Sequence, residues 1–242
     1  MLNLGLIGFG RFGQFAAKHL RTRMHLFVWD IRDQRKRAAS LGLTWGTLEE
    51  VASCQVVLLA TPATEIPSVL ARIVRLLRPG ALLMDVASVK TLPVQWMLAA
   101  APDEVEVIGT HPLFGPHSGR GGIEGMTVVL CPARTTRCDQ VVQFLAAMGV
   151  RSTVISPEEH DRQMAEVQAL THFVARGLDH AGLKDNDLKT PSFERLMQVV
   201  EALRDDSPET FHAMQTLNPW AAEARMRLLE ALRALHKQLD EE

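Results

Sequence analysis

The chain has 242 residues, of which 47% are hydrophobic, so it is long enough to bury one large core or two modest ones. Its 26 basic and 28 acidic residues give a net charge of −2 and are spread along the sequence. This pattern indicates neither a nucleic-acid groove nor a basic membrane-binding patch. No run of about 18 uncharged apolar residues is present, and no basic-then-apolar leader opens the sequence, so we expect no membrane partner.

The three cysteines, Cys54, Cys131 and Cys138, are odd in number and show no C-x-x-C spacing. Reduced thiols therefore explain them better than a disulfide or a zinc site, and we expect no metal centre. Reduced cysteines and the missing leader together favour a cytoplasmic protein.

The first predicted element is an apolar strand, residues 4–7, that leads directly into a G-x-G-x-x-G turn. In this pattern the first glycine permits the tight turn, the second lets a pyrophosphate approach the backbone, and the third lets the next helix pack on the sheet. Residues 14–20 continue as that helix, whose N-terminus favours negative charge. We therefore predict a dinucleotide-binding turn made of Gly8, Phe9, Gly10, Arg11, Phe12 and Gly13.

An acidic residue, Asp30, ends the second predicted strand, 22 positions after Gly8. A carboxylate at this point accepts hydrogen bonds from the ribose 2′-hydroxyl and repels a 2′-phosphate, which predicts NAD as the cofactor. Arg32 can instead pair with a 2′-phosphate, so NADP stays possible. Thr61 and Pro62, which follow the predicted strand at residues 56–60, complete the predicted cofactor site because ligands lie beyond the carboxyl ends of such strands.

Short apolar runs alternate with helical patterns as far as residue 154, which predicts a parallel sheet wound with helices on both faces. The further predicted strands are residues 56–60, 81–85, 105–109, 126–130 and 151–154, and residues 65–77 form a predicted helix. We therefore predict an α/β Rossmann-type dinucleotide-binding domain over residues 1–154.

From Ser156 onward the pattern is helical, beginning with a serine N-cap and a proline at the first helical position. Residues 155–242 therefore form a predicted all-α domain. Its last helix carries apolar residues at three- and four-residue spacing, a seam suited to another helix. Because so short a helical region has a thin core, we expect it to form a homodimer. The seam consists of Leu228, Leu232, Leu235 and Leu239.

His111 follows the predicted strand 105–109, in a loop made rigid by glycine and proline. This is where a positioned general base is expected, although a histidine that only hydrogen-bonds its own loop is the alternative. In the helical region Gln168 and His172 share one face, either as the lining of a cavity or as core polar residues with satisfied partners. Arg195 is a carboxylate clamp or a solvated arginine.

Four segments together resemble the prephenate/arogenate (cyclohexadienyl) dehydrogenase family of tyrosine biosynthesis. These segments are the glycine turn at residues 8–13, D-V-A-S-V-K at 85–90, G-T-H-P-L-F-G-P at 109–116 and E-H-D-R-Q-M-A at 159–165. They occur in the family's order, and the resemblance extends over nearly the whole chain.

The resemblance implies NAD(P)-dependent oxidative decarboxylation of prephenate or arogenate to 4-hydroxyphenylpyruvate or tyrosine. It implies that His111 accepts the proton of the substrate hydroxyl and that Ser88 orients His111 near the nicotinamide. His172 and Gln168 would line the substrate pocket, and Arg195 would grip a substrate carboxylate.

Three alternatives remain. One is a dehydrogenase that acts on 4-amino-4-deoxyprephenate, and another is a non-catalytic nucleotide-binding partner of a chorismate mutase, which the presence of both Ser88 and His111 disfavours. The third is a β-hydroxyacid-type or pyrroline carboxylate reductase, which the loop after residue 109 does not suit.

Overall fold

The computed structural model describes residues 2–204 and 206–241. The chain divides into two units, the first ending at His160 and the second beginning at Asp161. This division comes later than the predicted boundary after residue 154. The physical reason is that the side chain of His160 hydrogen-bonds a histidine of the first unit, His111.

Among the described residues, the first unit has eight strands and seven α-helices, the last of which continues into the second unit. The strands are β1 (Asn3–Ile7), β2 (His25–Trp29), β3 (Thr44–Trp45), β4 (Val56–Leu59), β5 (Leu82–Asp85), β6 (Glu106–Pro112), β7 (Thr127–Arg134) and β8 (Arg151–Val154). The helices are α1 (Arg11–Leu20), α2 (Arg35–Ser40), α3 (Leu48–Ala52), α4 (Ile66–Ile73), α5 (Thr91–Ala100), α6 (Cys138–Ala147) and α7 (Pro157–Met164).

The strands form one sheet in the order β3-β2-β1-β4-β5-β6-β7-β8. Strands β1 to β6 run parallel, as predicted, because each is joined to the next through a helix or a crossover. The expectation of a parallel sheet is wrong for β7, which pairs antiparallel with β6. The α/β Rossmann-type fold itself is confirmed.

The central strands are buried on both faces, which is why their sequences are continuous apolar runs rather than alternating patterns. Leu6, Ile7 and Val57 are completely buried, and Leu59 is nearly so. Side chains of β1 and β4 therefore supply core contacts on both sides of the sheet, and the carboxyl ends of these two strands lie next to each other.

Three strands differ from what the sequence predicts, and one of them is β7, which runs to Arg134, four residues beyond the predicted end at 130. The sequence does not predict β3, which is only two residues long and has no apolar run. Strand β6 continues to Pro112, so His111 lies within the strand, paired with Val129 of β7, and not in a loop. The antiparallel ladder with β7 extends β6, and this pairing is not visible in the local sequence.

The second unit is helical, as predicted. After α7, a π-helical segment (Ala165–Leu170) leads into α8 (Thr171–His180), α9 (Pro191–Arg204), α10 (Pro208–Thr216) and α11 (Ala221–Asp240). The predicted N-cap of α7 is present, because the hydroxyl of Ser156 accepts a hydrogen bond from the backbone N–H of Glu159 at 3.1 Å.

The core of the second unit is small and is centred on Ala169, Met214 and Ala221. The C-terminal half of α11 adds little to it, because Leu232, Leu235 and Leu239 are 52–71% exposed. No helix in the described part of the chain is long and apolar enough to span a membrane.

Candidate active site

The glycine turn after β1 has different requirements at its three glycines. Gly8 has φ +99°, and a Cβ atom there would lie 2.6 Å from the backbone of Ala60. A Cβ on Gly13 would lie 2.1 Å from the carbonyl oxygen of Gly8, whereas a Cβ on Gly10 would meet nothing within 4 Å. The first and third glycines therefore allow close packing, and the second leaves its space open to a ligand.

Helix α1 begins at Arg11, and its N-cap residue Gly10 makes no side-chain hydrogen bond to the first turn. Backbone N–H groups at a helix N-terminus favour an anion, and the open side of Gly10 lies at this end of α1. Arg11 is exposed there. The rings of Phe9 and Phe12 point elsewhere, since Phe9 is completely buried and Phe12 packs against Phe15 at 5.9 Å between centroids.

Asp30 lies beside this turn with both carboxylate oxygens engaged. One accepts the N–H of Phe9 at 2.7 Å and the other accepts the N–H of Arg32 at 2.9 Å. These bonds fix the carboxylate at the end of β2, where the sequence predicts contact with a ribose. The side chain of Arg32 is exposed.

Two residues that the sequence analysis missed support the turn. The side-chain amides of Gln14 and Gln34 both donate to the carbonyl oxygen of Phe9, at 2.9 and 3.1 Å. Arg37 in turn donates to the amide oxygen of Gln14 at 2.9 Å. Glutamines have no strong pattern of their own in sequence, so these contacts emerge only from the fold.

Thr61 follows β4 at the same sheet edge, and its hydroxyl is buried without a hydrogen-bond partner among the described residues. An orphaned buried hydroxyl indicates a missing ligand group. Together with the open side of Gly10 and the fixed Asp30, it fits a bound dinucleotide. Pro62 is exposed beside it.

His111 is 3% exposed and makes one short contact, between its Nδ1 and the Nε2 of His160 at 2.9 Å. Burial lowers the pKa of His111 well below its usual value, and the neighbouring His160 and Lys90 lower it further. The imidazole is therefore neutral at physiological pH and able to accept a proton.

Ser88 is half-buried in the segment after β5, and no hydrogen bond joins it to His111 among the described residues. The side-chain partner of His111 is instead His160, which the sequence does not identify as a partner of His111. The predicted orienting role of Ser88 therefore has no contact to support it in this structure, and it stays a prediction.

In the helical unit, the side-chain oxygen of Gln168 is buried without a partner among the described residues. Gln168 lies in the π-helical segment, a distortion that is frequent at functional sites. One segment later, His172 Nδ1 contacts a carboxylate oxygen of Asp206 at 3.2 Å. Burial lowers the pKa of His172, Asp206 opposes this shift, and Arg176 adds to it.

His172 lines a polar cavity of about 150 Å³ within this unit, together with Arg176, Asp179, Arg204 and Asp206. Arg204 pairs with Asp179 at 2.9 Å. The structure does not bring the predicted clamp, Arg195, to this cavity, because Arg195 is exposed on α9. No cluster of metal-ligating side chains is found within residues 2–204 and 206–241.

The open glycine turn, the fixed acid at the end of β2 and the strand order define the class of the first unit: it is a Rossmann-type NAD(P)-binding domain. Residues 16–154 match the family model described as "Prephenate dehydrogenase, nucleotide-binding domain". The chain belongs to the prephenate dehydrogenase family. Residues 177–242 match a second model, "TYRAAT1-like, C-terminal domain".

Curated relatives agree with this assignment. The chain is 30% identical over 250 residues to arogenate dehydrogenase 1, chloroplastic, and 32% identical over 250 residues to arogenate dehydrogenase 2, chloroplastic, both from Arabidopsis thaliana. Each alignment covers 98% of this chain, which spans 39% of the length of the first relative and 70% of the second.

Solved structures show the same fold. A prephenate dehydrogenase from Aquifex aeolicus, solved with hydroxyphenyl propionate and NAD+, superposes with a TM-score of 0.77 at 22% identity, covering 100% of this chain and 93% of that one. A Synechocystis arogenate dehydrogenase superposes with a TM-score of 0.70 at 25% identity, covering 99% and 90%.

Proposed function

We propose that this chain catalyses the NAD(P)+-dependent oxidative decarboxylation of prephenate or arogenate to 4-hydroxyphenylpyruvate or tyrosine. The observation that carries the proposal is His111, a buried neutral imidazole held by a second histidine. Because β1 and β6 run in the same direction, His111 and the cofactor turn lie at the same edge of the sheet. Relatives named for these two activities support it.

His111 acts as the base. Its Nδ1 is engaged by His160, so Nε2 is the nitrogen that is left for the substrate. This role requires the tautomer in which Nδ1 carries the proton and donates it to His160. His111 then takes the proton of the ring hydroxyl at Nε2 and returns a proton to the phenolate oxygen after the ring carboxylate has left as carbon dioxide. NAD(P)+, when bound, supplies the acceptor for the hydride.

Asp30 favours NAD over NADP. Its carboxylate is fixed by two backbone N–H groups and can accept hydrogen bonds from a ribose 2′-hydroxyl, whereas a 2′-phosphate would meet it as a like charge. Arg32 is exposed and its side chain has no partner to displace among the described residues, so NADP is the alternative cofactor.

The substrate side chain is proposed to bind in the helical unit through His172 and an arginine. Arg176 is the better candidate for that arginine, because it lines the same cavity as His172. Its guanidinium lies 4.2 Å from the ring centroid of Phe211 and makes one long hydrogen bond, 3.4 Å, to the backbone oxygen of Asp206. Within the described residues no carboxylate side chain pairs with Arg176, so the N–H groups of its guanidinium are left to bind a substrate carboxylate.

Two matched variants test which arginine, Arg176 or Arg195, binds the substrate carboxylate. We expect Arg176→Gln to raise KM for the substrate about 10- to 100-fold, the effect of losing a charge-assisted hydrogen bond, with a smaller change in KM for NAD. Arg195→Gln should leave both constants near those of the unmodified protein. The reverse ranking in steady-state kinetics would restore Arg195 as the clamp.

The activity is tested by the rate at which reduced nicotinamide forms with prephenate and with arogenate, each with NAD and with NADP. Turnover of one of the two substrates supports the proposal, and the ratio of kcat/KM values identifies the substrate. Absence of turnover, with co-purification of a chorismate mutase, would instead support the non-catalytic nucleotide-binding partner.

A second candidate substrate is 4-amino-4-deoxyprephenate. The chain is 31% identical over 190 residues to the 4-amino-4-deoxyprephenate dehydrogenase of Streptomyces pristinaespiralis, an alignment that covers 74% of this chain and 62% of that protein. The same assay with this substrate decides the question, since a kcat/KM above those of prephenate and arogenate would identify it.

The helical unit is proposed to form a homodimer through α11. The exposed leucines of this helix lie at positions 232, 235 and 239, a spacing that places them along one stripe, and the core beneath them is small. A second copy of the chain would cover this stripe.

A further inference from the structure

An ion pair without access to water lies next to the proposed base. Asp85, the last residue of β5, and Lys90 are both completely buried, and the Lys90 ammonium donates a hydrogen bond to the Asp85 carboxylate. The ammonium also donates to the carbonyl oxygen of Thr110 at 2.7 Å. The Asp85 carboxylate accepts the N–H of Thr110 at 3.2 Å and the N–H of Ala87 at 2.9 Å.

These bonds fix both peptide groups of Thr110, the residue directly before His111. The carbonyl that Lys90 holds belongs to the peptide bond that joins Thr110 to His111. The hydroxyl of Thr110 also donates to the backbone oxygen of Asp85. The backbone that carries His111 is therefore held from the β5 side, and its ring is held separately by His160.

A buried ion pair is weak support for stability, because the loss of hydration offsets most of the attraction between the charges. Its effect on a neighbouring titratable group is larger, since water does not screen it. His111 faces two such groups, Lys90 from the segment after β5 and His160 from α7, and Asp85 is the counter-charge that Lys90 holds. The cation disfavours an imidazolium at His111, and the carboxylate favours one.

We propose that Asp85 is a positioning residue for His111, because together with Lys90 it holds the peptide that carries the imidazole and balances the charge that the imidazole faces. The proposal rests on the proposed function only in taking His111 as the catalytic base. The placement of the ring and its titration are properties of the folded protein alone.

Two opposite substitutions test the charge balance. Lys90→Met leaves Asp85 as the nearest charge and should raise the pKa of His111 by about one unit, whereas Asp85→Asn leaves Lys90 and should lower it by a similar amount. The titration is followed by NMR on histidine-labelled full-length protein, with the His111 resonance assigned from its absence in His111→Asn. Displacement in one common direction, or no displacement in either variant, would overturn the proposal.

Each single variant leaves a buried charge without its partner and can lose stability. The double variant Asp85→Asn/Lys90→Met removes both charges, so it tests the proposal in case a single variant does not fold. With both charges removed, the pKa of His111 should return to within about half a unit of its original value, while kcat stays reduced because no ammonium holds the carbonyl oxygen of Thr110. Full recovery of kcat in the double variant would argue against positioning.

Glu106→Gln is the matched control. Glu106 begins the same strand as His111 and binds Arg137 at 2.9 Å, so this variant breaks an ion pair of β6 at the opposite end of the strand. Neither the titration of His111 nor kcat should change. Opposite NMR shifts in a protein that turns over none of the cyclohexadienyl substrates would support the positioning role and reject the proposed function.

Discussion

The same substitution, glycine to alanine, should have different effects at Gly10 and Gly13, because a Cβ meets open space at the first and backbone at the second. In Gly10→Ala the new methyl meets no protein atom within 4 Å, so the free energy of unfolding should fall by about 1 kcal/mol or less, the difference between glycine and alanine at an N-cap. The methyl occupies the side on which the pyrophosphate approaches, so Kd for NAD should rise about 10- to 100-fold, the loss of one hydrogen bond to a charged group.

In Gly13→Ala the methyl would lie 2.1 Å from the carbonyl oxygen of Gly8, more than 1 Å inside normal contact distance. Helix α1 and the turn must therefore separate. Overpacking of this kind costs about 1–3 kcal/mol or more, which exceeds the gain of about 1 kcal/mol from placing alanine in a helix. Both the stability and the affinity for NAD should fall.

Urea unfolding measures the stability of each variant, and calorimetric titration measures its affinity for NAD. Gly177→Ala in α8 is the control, because its methyl also meets nothing within 4 Å and lies far along the chain from the turn. It should not weaken NAD binding. If Gly10→Ala bound NAD as tightly as the unmodified protein, or if Gly13→Ala unfolded at the same urea concentration, this reading of the turn would be refuted.

Four further predictions concern the site and the helical unit. His111→Asn should lower kcat by about 100-fold or more. Because burial lowers the pKa of His111, activity should persist below pH 6.5 and be lost only as the pH falls through that lowered pKa; loss already near pH 6.5 in a kcat/KM profile would contradict this. Asp30→Ser should raise the kcat/KM ratio of NADP to NAD, and an unchanged ratio would exclude Asp30 from cofactor choice. Leu232→Glu should dissociate the proposed dimer in sedimentation experiments, whereas Ala234→Glu, exposed on another face of the same helix, should not; a monomeric unmodified protein would contradict the dimer.

The strands were predictable where burial on both faces makes the sequence a continuous apolar run, as at residues 56–59, and the glycine turn was predictable because its spacing reflects steric limits. The antiparallel pairing of β6 with β7 was not, because register between distant segments leaves no local pattern. This pairing is what moved His111 from a predicted loop into a strand.

The site residues divide in the same way. His111 and Asp30 were identified because each lies at the end of a recognisable strand. His160 and Arg176 gain their roles from contacts across the fold, 49 residues apart for the pair of histidines, and no spacing rule relates them. The sequence left Arg195 open as a carboxylate clamp or a solvated arginine, since the exposed and buried faces of α9 are distinguished only by its packing.

The antiparallel ladder between β6 and β7 affects how the site is lost when the protein is heated. His111 is the penultimate residue of β6 and is paired with Val129 of β7, so we expect its backbone amide to exchange only when the ladder between β6 and β7 opens. A catalytic base on a loop can lose its position through local unfolding, well below the melting temperature of the domain. Here the catalytic geometry and the sheet should disappear in one cooperative event, with amide hydrogen exchange at His111 as slow as in the central strands.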